Sequence, residues 1–482
     1  MKKIYIIGLL VIVLPFITSC DDFLDEAPRG NAIAETVDDF DMMFNAGQGN
    51  QIFNMLFFDQ YYAQWKSDDM VYTSGSVTSI NLTCRFPSTI ESAIKYEDKI
   101  YRDDETTPEC EASYNMIYTY NVIANSVMDA EGDETEKKQL LAEARVSRAY
   151  MHFLLAQWYA LPYSESNASS RALPIIDKAN TQQMDFTPAT VKDYYQWIVN
   201  EMEEACPDLK ERKEHRMRCY KATGYALLGK VYFFMNEYDK ALQHLRTAYN
   251  LLKGDATVYL TDHNTKQAQY GYKELSMSQL MSYVPYPYRD NEVLFCKCSS
   301  GMKHYYPAYY GYAPTDFLKP EVYNLYSEND LRRNLICTKD SKGQPYPYPT
   351  ATFIGAMMNV GITLPEVYLM LAESEARVGS ESNSRELLKA LRTTRMLPGY
   401  EDVPESVQTK NDLIKFCFDE ESREFAGTGY RFYTVRRLWN DPLFQDQKPI
   451  SHFIDNQVYT MQEAQLKTDL PETILIWNEN MR

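Results

Sequence analysis

Residues 220–252 read "YKATGYALLGKVYFFMNEYDKALQHLRTAYNLL". Gly229, Ala241 and Ala248 are small enough to let two helices approach closely. Tyr225, Leu228, Tyr232 and Leu245 are large enough to fill the holes between them. The stretch therefore predicts a helical hairpin that cannot bury its faces alone and must stack on neighbours.

The same seven positions match the offsets of the tetratricopeptide pattern, whose unit is about 34 residues. The closing Pro of that pattern is absent, and Lys253 stands there. A weaker echo runs over 364–395, with Tyr368, Leu371 and Ala372 in place and the second helix off register. In "EARVSRAYMHFLLAQWYALP", Ala142, just before the stretch, then Val146, Ala149, Phe153 and Ala156 fall on one helical face, and Pro162 closes the segment. A short helix is expected from Thr36 to Phe44, irregular chain over 48–110, and helices from Ser113 onward. The expected fold class is mainly α. It is a tetratricopeptide-like scaffold of three or four helical hairpins with a right-handed course, and long irregular, partly β loops form its ligand face.

Two loop texts interrupt the helices. Residues 283–313 read "YVPYPYRDNEVLFCKCSSGMKHYYPAYYGYA", in which "EVLFCKC" suits a short strand and the rest is a tyrosine-loaded loop. Residues 341–352, "SKGQPYPYPTAT", repeat that style. The chain holds 39 Tyr against 21 Phe and 5 Trp. Tyrosine suits both wet recognition surfaces and the seams of helical repeats, so composition alone leaves the two open.

The amino terminus reads as an export signal. Lys2 and Lys3 precede an apolar run from Ile4 to Ile17, then small Thr18 and Ser19, then Cys20 and acids in "FITSCDDFLDE". The stretch resembles a relaxed bacterial lipobox, in which the cysteine sulfur carries a lipid. Several acyl chains hold a protein firmly on a bilayer, because each buried CH₂ contributes about 0.8 kcal/mol. Loss of residues 1–19 removes two lysines and no acid, moving the net charge from −18 to −20. So acidic a chain repels polyanions, which argues against nucleic acid as a partner.

Nine cysteines are present, and with Cys20 assigned to lipid the other eight lack zinc-finger spacing. Most are expected to be buried as small apolar residues; an exported chain also allows one or two disulfides, Cys84 with Cys110 among them. Nothing in the sequence points to a catalytic constellation: it has no G-x-S-x-G, no H-E-x-x-H and no phosphate loop. No cofactor or metal is expected, and the chain is not read as an enzyme.

Four stretches in order resemble the SusD/RagB family of outer-membrane nutrient-uptake lipoproteins: "SCDDFLDEAP", "EARVSRAYMHFLLAQWYALPY", the repeat with "ALLGKVYFFMNEYDKA", and "PEVYLMLAESEARVG" followed by "DEESREFAGTGYRFYTVRRL". The chain departs from the family's habit at Ala160 for Gly, Glu421 for Arg, Thr428 for Glu, Thr434 for Asp and Leu438 for Trp. The resemblance implies a lipid-anchored protein, facing the cell exterior on the outer membrane. It would be the lid of a SusC-like TonB-dependent β-barrel transporter and would capture oligosaccharides, or in some members peptides. A helical-repeat scaffold without a small ligand is the remaining alternative.

On this reading residues 1–19 are signal peptide and 20–34 a lipidated tether. Residues 35–280 are the N-terminal helical-repeat region, and 281–482 the C-terminal region with aromatic loops and closing helices. The expected ligand site combines Trp65 and Asp68 in "YYAQWKSDDMVY" with Tyr305, Tyr306, Tyr309, Tyr310 and Tyr312 of the second loop. Trp65 reads equally as a local packing plug. The charged set Glu420, Arg423, Glu424, Arg431, Arg436 and Arg437, like Arg145 and Arg148, is expected to be a structural ion network.

Overall fold

The structure, a computed structural model, describes residues 34–45, 62–83, 87–103, 108–183, 185–211, 215–299, 314, 317–340, 342–350, 358–470 and 472–475. Among the described residues helices dominate, and the named strands form small two-stranded antiparallel sheets, with a few isolated bridges besides.

The quoted stretch forms the hairpin its sequence predicts, with helices Lys221–Phe234 and Tyr238–Leu252. Gly229 shows why glycine is required there: a Cβ would lie 2.7 Å from Leu245 Cγ. The echo is a second hairpin, Leu364–Val378 with Glu381–Thr393. A Thr363–Glu366 capping box opens its first helix, satisfying backbone N–H groups that have no partner within the helix. Glu134–Tyr159 is capped by Asp133, whose carboxylate accepts from the N–H groups of Thr135 and Glu136.

These helices pack in a continuous series. Pro108–Ser126 lies on Glu134–Tyr159, which meets Val191–Ala205, and that helix meets the first hairpin. Tyr238–Leu252 then meets Leu364–Val378, which packs on Lys410–Phe425. Among the described residues one main apolar core follows the series, from Val37 to Leu466, and two small apolar clusters lie apart from it.

Ion pairs are built into the seams. Arg437 makes a double contact to Glu373, at 2.8 and 2.9 Å. Glu420 is shared by Arg332, Arg392 and Arg423, at 2.6 to 2.9 Å. Glu424 meets Arg395 and Arg332. Arg436 instead donates to the carbonyls of Ala156, Ala160 and Leu466. Arg145 and Arg148 both reach Glu201. The structural reading of these charges therefore describes their contacts, with Arg431 as the exception taken up below.

Two expectations need correction. The 48–110 region is not irregular where it is described: it holds helices Tyr62–Lys66, Ser74–Thr83 and Pro87–Ile94, and Pro108 opens another. Ser74–Thr83, "SGSVTSINLT", is polar and lacks an apolar stripe, so periodicity could not reveal it. Its start is held by Thr73 and Ser76 and by Asp455, whose carboxylate accepts the Ser74 N–H at 3.1 Å. Within the second loop text, Pro345–Thr350 is a strand paired with Cys337–Lys339. Its prolines are tolerated because the sheet has only two strands, so one edge needs no donors. The "EVLFCKC" expectation is met by strands Val293–Phe295 and Cys298–Ser299, with a break between them.

Candidate functional site

A cleft of about 590 Å³ opens where four distant segments converge. The turn after Tyr62–Lys66 brings Asp68 and Asp69. The strand Phe317–Leu318 pairs with Met70–Val71 and delivers Lys319. The helix Lys410–Phe425 and the start of Tyr430–Leu438 bring Asp419, Glu421, Tyr430 and Arg431. The hairpin Ser451–Ile454/Gln457–Thr460 brings Phe453, and Asp455 from its turn.

The turn between the two C-terminal helices sets this geometry. Gly427 and Gly429 have φ of 70° and 82°, values that favour glycine, so the chain reverses between Phe425 and Tyr430. The Gly427 N–H then donates to Asp69 Oδ2 at 2.7 Å, and the Ser67 hydroxyl donates to Asp69 Oδ1 at 2.6 Å. Arg431 Nε donates to Asp68 Oδ1 at 2.8 Å. Lys319 Nζ donates to the Ser451 carbonyl at 2.7 Å.

Charge in the cleft is unbalanced toward acid. Six carboxylates line it (Asp68, Asp69, Glu321, Asp419, Glu421, Asp455) against Lys319 and Arg431. Burial acts to raise Asp68, and the charges of Arg431 and Lys319 more than offset it, holding the carboxyl below its ordinary range. Burial dominates at Asp69 and Asp419, which are raised, and pushes Glu421 up to about 7. The aromatic side chains of Tyr348, Phe418, Phe425, Tyr430 and Phe453 complete the lining; Phe425 and Tyr430 stack on each other at 4.6 Å, and Arg431 lies 4.3 Å from the Phe418 ring centre. Aromatic walls beside fixed donors and acceptors suit a small polar organic ligand.

The expected site residues separate. Asp68 lines this cleft. Trp65 does not stand on a surface: it lies in the helix Tyr62–Lys66 with 0 % of its surface exposed, 6.0 Å from the Tyr72 ring. Its apolar area is spent on packing, as in the alternative that read Trp65 as a local packing plug and not as a ligand contact. Tyr305, Tyr306, Tyr309, Tyr310 and Tyr312 lie outside the described residues, as do Cys20, Cys84 and the segments 1–33. Arg431, expected in a structural network, lines the cleft through its pair with Asp68. Lys319 and Phe453 were not singled out from sequence, and no local motif marks them; Tyr348 belongs to the second loop text, 341–352, but was not itself chosen as a site residue.

Among the described residues, no group of three His, Cys, Asp or Glu side chains is arranged to hold a metal ion. No helix among them is long and apolar enough to cross a membrane.

Comparison with known proteins assigns the class. Residues 22–233 match a family model described as "starch-binding associating with outer membrane", and residues 358–473 match the SusD family model. The chain belongs to the SusD/RagB family. Among solved structures, a SusD superfamily protein from Bacteroides vulgatus is 19% identical, with a TM-score of 0.66 over 92% of this chain and 97% of that one. A SusD-like carbohydrate-binding protein from the same species is 14% identical, with a TM-score of 0.61 over 92% and 97%. A laminarin-binding SusD-like protein is 19% identical, with a TM-score of 0.58 over 92% and 96%. These likenesses establish the shared fold. No curated protein matches the chain in sequence.

Proposed function

We propose that this protein captures oligosaccharides at the outer surface of the cell. In this reading it is anchored by lipid on Cys20 and serves as the lid of a SusC-like TonB-dependent β-barrel transporter. Membership of the SusD/RagB family carries the proposal; the family model matched over residues 22–233 is the one described as starch-binding and associating with the outer membrane. The leader of residues 1–19, followed directly by Cys20, supports the anchor.

The cleft at Asp68 and Arg431 is the proposed binding site. Its aromatic faces suit the C–H faces of sugar rings, and its carboxylates and guanidinium suit hydroxyls. The excess of carboxylates favours a neutral glycan over a uronate or sulfated one, since like charges in a partly desolvated cleft repel. The five tyrosines at 305–312 are proposed as a further wall. The ground is sequence: the segment runs into Phe317–Leu318, and the next residue, Lys319, lines the cleft.

The test is calorimetric titration of the purified protein with neutral, uronate and sulfated oligosaccharides and with a peptide pool. Saturable binding of a neutral glycan, lost on Arg431→Gln, is the expected result. Saturable binding of peptides alone would replace the sugar by a peptide in the same lid. Co-purification of a large β-barrel from gently solubilised outer membranes tests the lid; recovery without any barrel would remove it.

A further inference from the structure

Cys296 and Cys298 lie on either side of Lys297 at a break between two strand pairs. Upstream, Val293–Phe295 pairs with Ile362–Thr363; downstream, Cys298–Ser299 pairs with Met358–Asn359. The break is tightly held. The Cys296 N–H donates to the Arg216 carbonyl at 2.7 Å, and the Val360 N–H donates to the Lys297 carbonyl at 2.6 Å. Gly361 lets the two strand segments close together, because a Cβ there would lie 1.9 Å from the Phe295 carbonyl oxygen.

Residues two apart on a regular strand share a face, but their side chains stand well apart. The break changes that. The two sulfurs are 3.2 Å from each other, inside a small apolar cluster with Val293, Met217 and Tyr288. By contrast, the sulfurs of Cys219, Cys337 and Cys417 meet oxygen atoms at 3.7 to 3.9 Å. A hydrogen bond from Cys298 holds the Cys296 thiol below its ordinary value, and the nearby Lys297 amine acts in the same direction. That favours the thiolate, which is the nucleophile in disulfide exchange.

We propose that Cys296 and Cys298 are a modification site, closing to an intrachain disulfide across Lys297 when the chain meets a disulfide oxidant. The Cys296 thiolate attacks one sulfur of the oxidant's disulfide and releases the first oxidant thiolate. Cys298 then attacks Cys296 in the mixed disulfide, forming the new S–S bond and releasing the second. The two protons given up by the cysteines end on the two oxidant thiols, so two thiols are oxidised and one disulfide is reduced. The pair closes too short a loop to gain much from chain entropy. Its effect is to fix the kink between the two strand pairs and to remove two buried free thiols. Only the place where the oxidant is met rests on the export proposed above.

The test uses the full chain in two samples, both alkylated under denaturing conditions without reductant and digested with trypsin. One sample is refolded from the reduced, unfolded state in glutathione disulfide; the other is recovered from cell envelopes. Cleavage after Arg289, Lys297 and Lys303 yields peptides 290–297 and 298–303. In the refolded sample they are expected to be joined through sulfur and to separate on reduction, or to appear as one uncut 290–303 peptide lighter by two hydrogens. In Cys298→Ser the link is lost. Alkyl groups on both sulfurs of the refolded protein, or a bond from either cysteine to another, would overturn the proposal. A linked refolded sample with an alkylated envelope sample would leave the site standing and count against export.

Discussion

Asp68 and Arg431, 363 residues apart in the chain, form an ion pair in the cleft wall, with Arg431 Nε 2.8 Å from Asp68 Oδ1. Their side chains keep only 10% and 14% of their exposure. Each therefore depends on the other for most of what water would supply. Removing one partner of a buried pair costs roughly 3–5 kcal/mol. The open cleft restores some hydration here, so Asp68→Asn is expected to cost on the order of 2 kcal/mol in denaturant unfolding. It is also expected to weaken glycan binding by about tenfold or more, since a lost charge-assisted hydrogen bond is worth about 1.5–3 kcal/mol. Unchanged affinity in Asp68→Asn, measured by calorimetry on folded protein, would place the ligand elsewhere.

Two departures from the family's sequence habit fall on a single contact. The Thr434 hydroxyl donates to Glu421 Oε1 at 2.5 Å, at the two positions where the resemblance drawn from sequence leads to the expectation of Asp and Arg. Glu421→Arg alone puts a third guanidinium beside Arg431 and Arg437 and should destabilise. The double variant Glu421→Arg/Thr434→Asp recreates an opposite-charge pair, with an expected coupling energy of about 1–3 kcal/mol in a double-mutant cycle. Simple additivity of the two single changes would show that the contact carries no coupling.

The same residue predicts a pH dependence. Burial pushes the Glu421 carboxyl from 4.5 up to about 7. Between those values the folded protein holds a proton that the unfolded chain releases. This contribution to stability is therefore fully present below pH 4.5 and is lost as pH rises toward 7. In Glu421→Gln that part of the decline should vanish from unfolding curves taken across this window.

Lys66 predicts the opposite slope in a higher window. It is 1 % exposed, lies over the Trp158 and Phe432 rings, and donates to the Lys467 carbonyl at 3.1 Å. Burial first, and the charge of Arg436 second, bring its pKa from 10.5 to about 7. Between those values the unfolded chain binds the proton that the folded chain has released, so this group makes stability rise with pH from 7 to 10.5. Lys66→Met should flatten that rise and be no less stable than wild type at pH 7, by thermal unfolding. Equal slopes for variant and wild type would show that the amine keeps its charge in the fold.

Gly229→Ala tests the helix contact in the first hairpin. The added methyl would meet Leu245 Cγ at 2.7 Å, and Leu245 is fully buried. Overpacking of this kind costs about 1–3 kcal/mol. Leu245→Ala in the Gly229→Ala background should cost less than Leu245→Ala alone, because the two volumes compensate. Additive losses would mean that the helices separate instead of repacking.

The sequence by itself determined the hairpins, because their information is local. The small residues at 229, 241 and 248 and the large ones between them lie within one stretch, and 3.6-residue periodicity brings them onto shared faces. Asp68 was legible as a polar residue beside aromatic chain. The rest of the site was not, because Lys319, Arg431 and Phe453 reach the cleft from segments more than 250 residues from Asp68, with no shared local pattern. Only the tertiary structure decided that Trp65 packs inward, although its neighbours in sequence are Gln64 and Lys66. Only it decided that Ser74–Thr83 is a helix, since its amino-terminal carboxylate acceptor is Asp455, 381 residues away. Propensity and periodicity describe what a segment does by itself. A cap, an ion pair or a buried ring supplied across the fold adds free energy that no window of sequence contains.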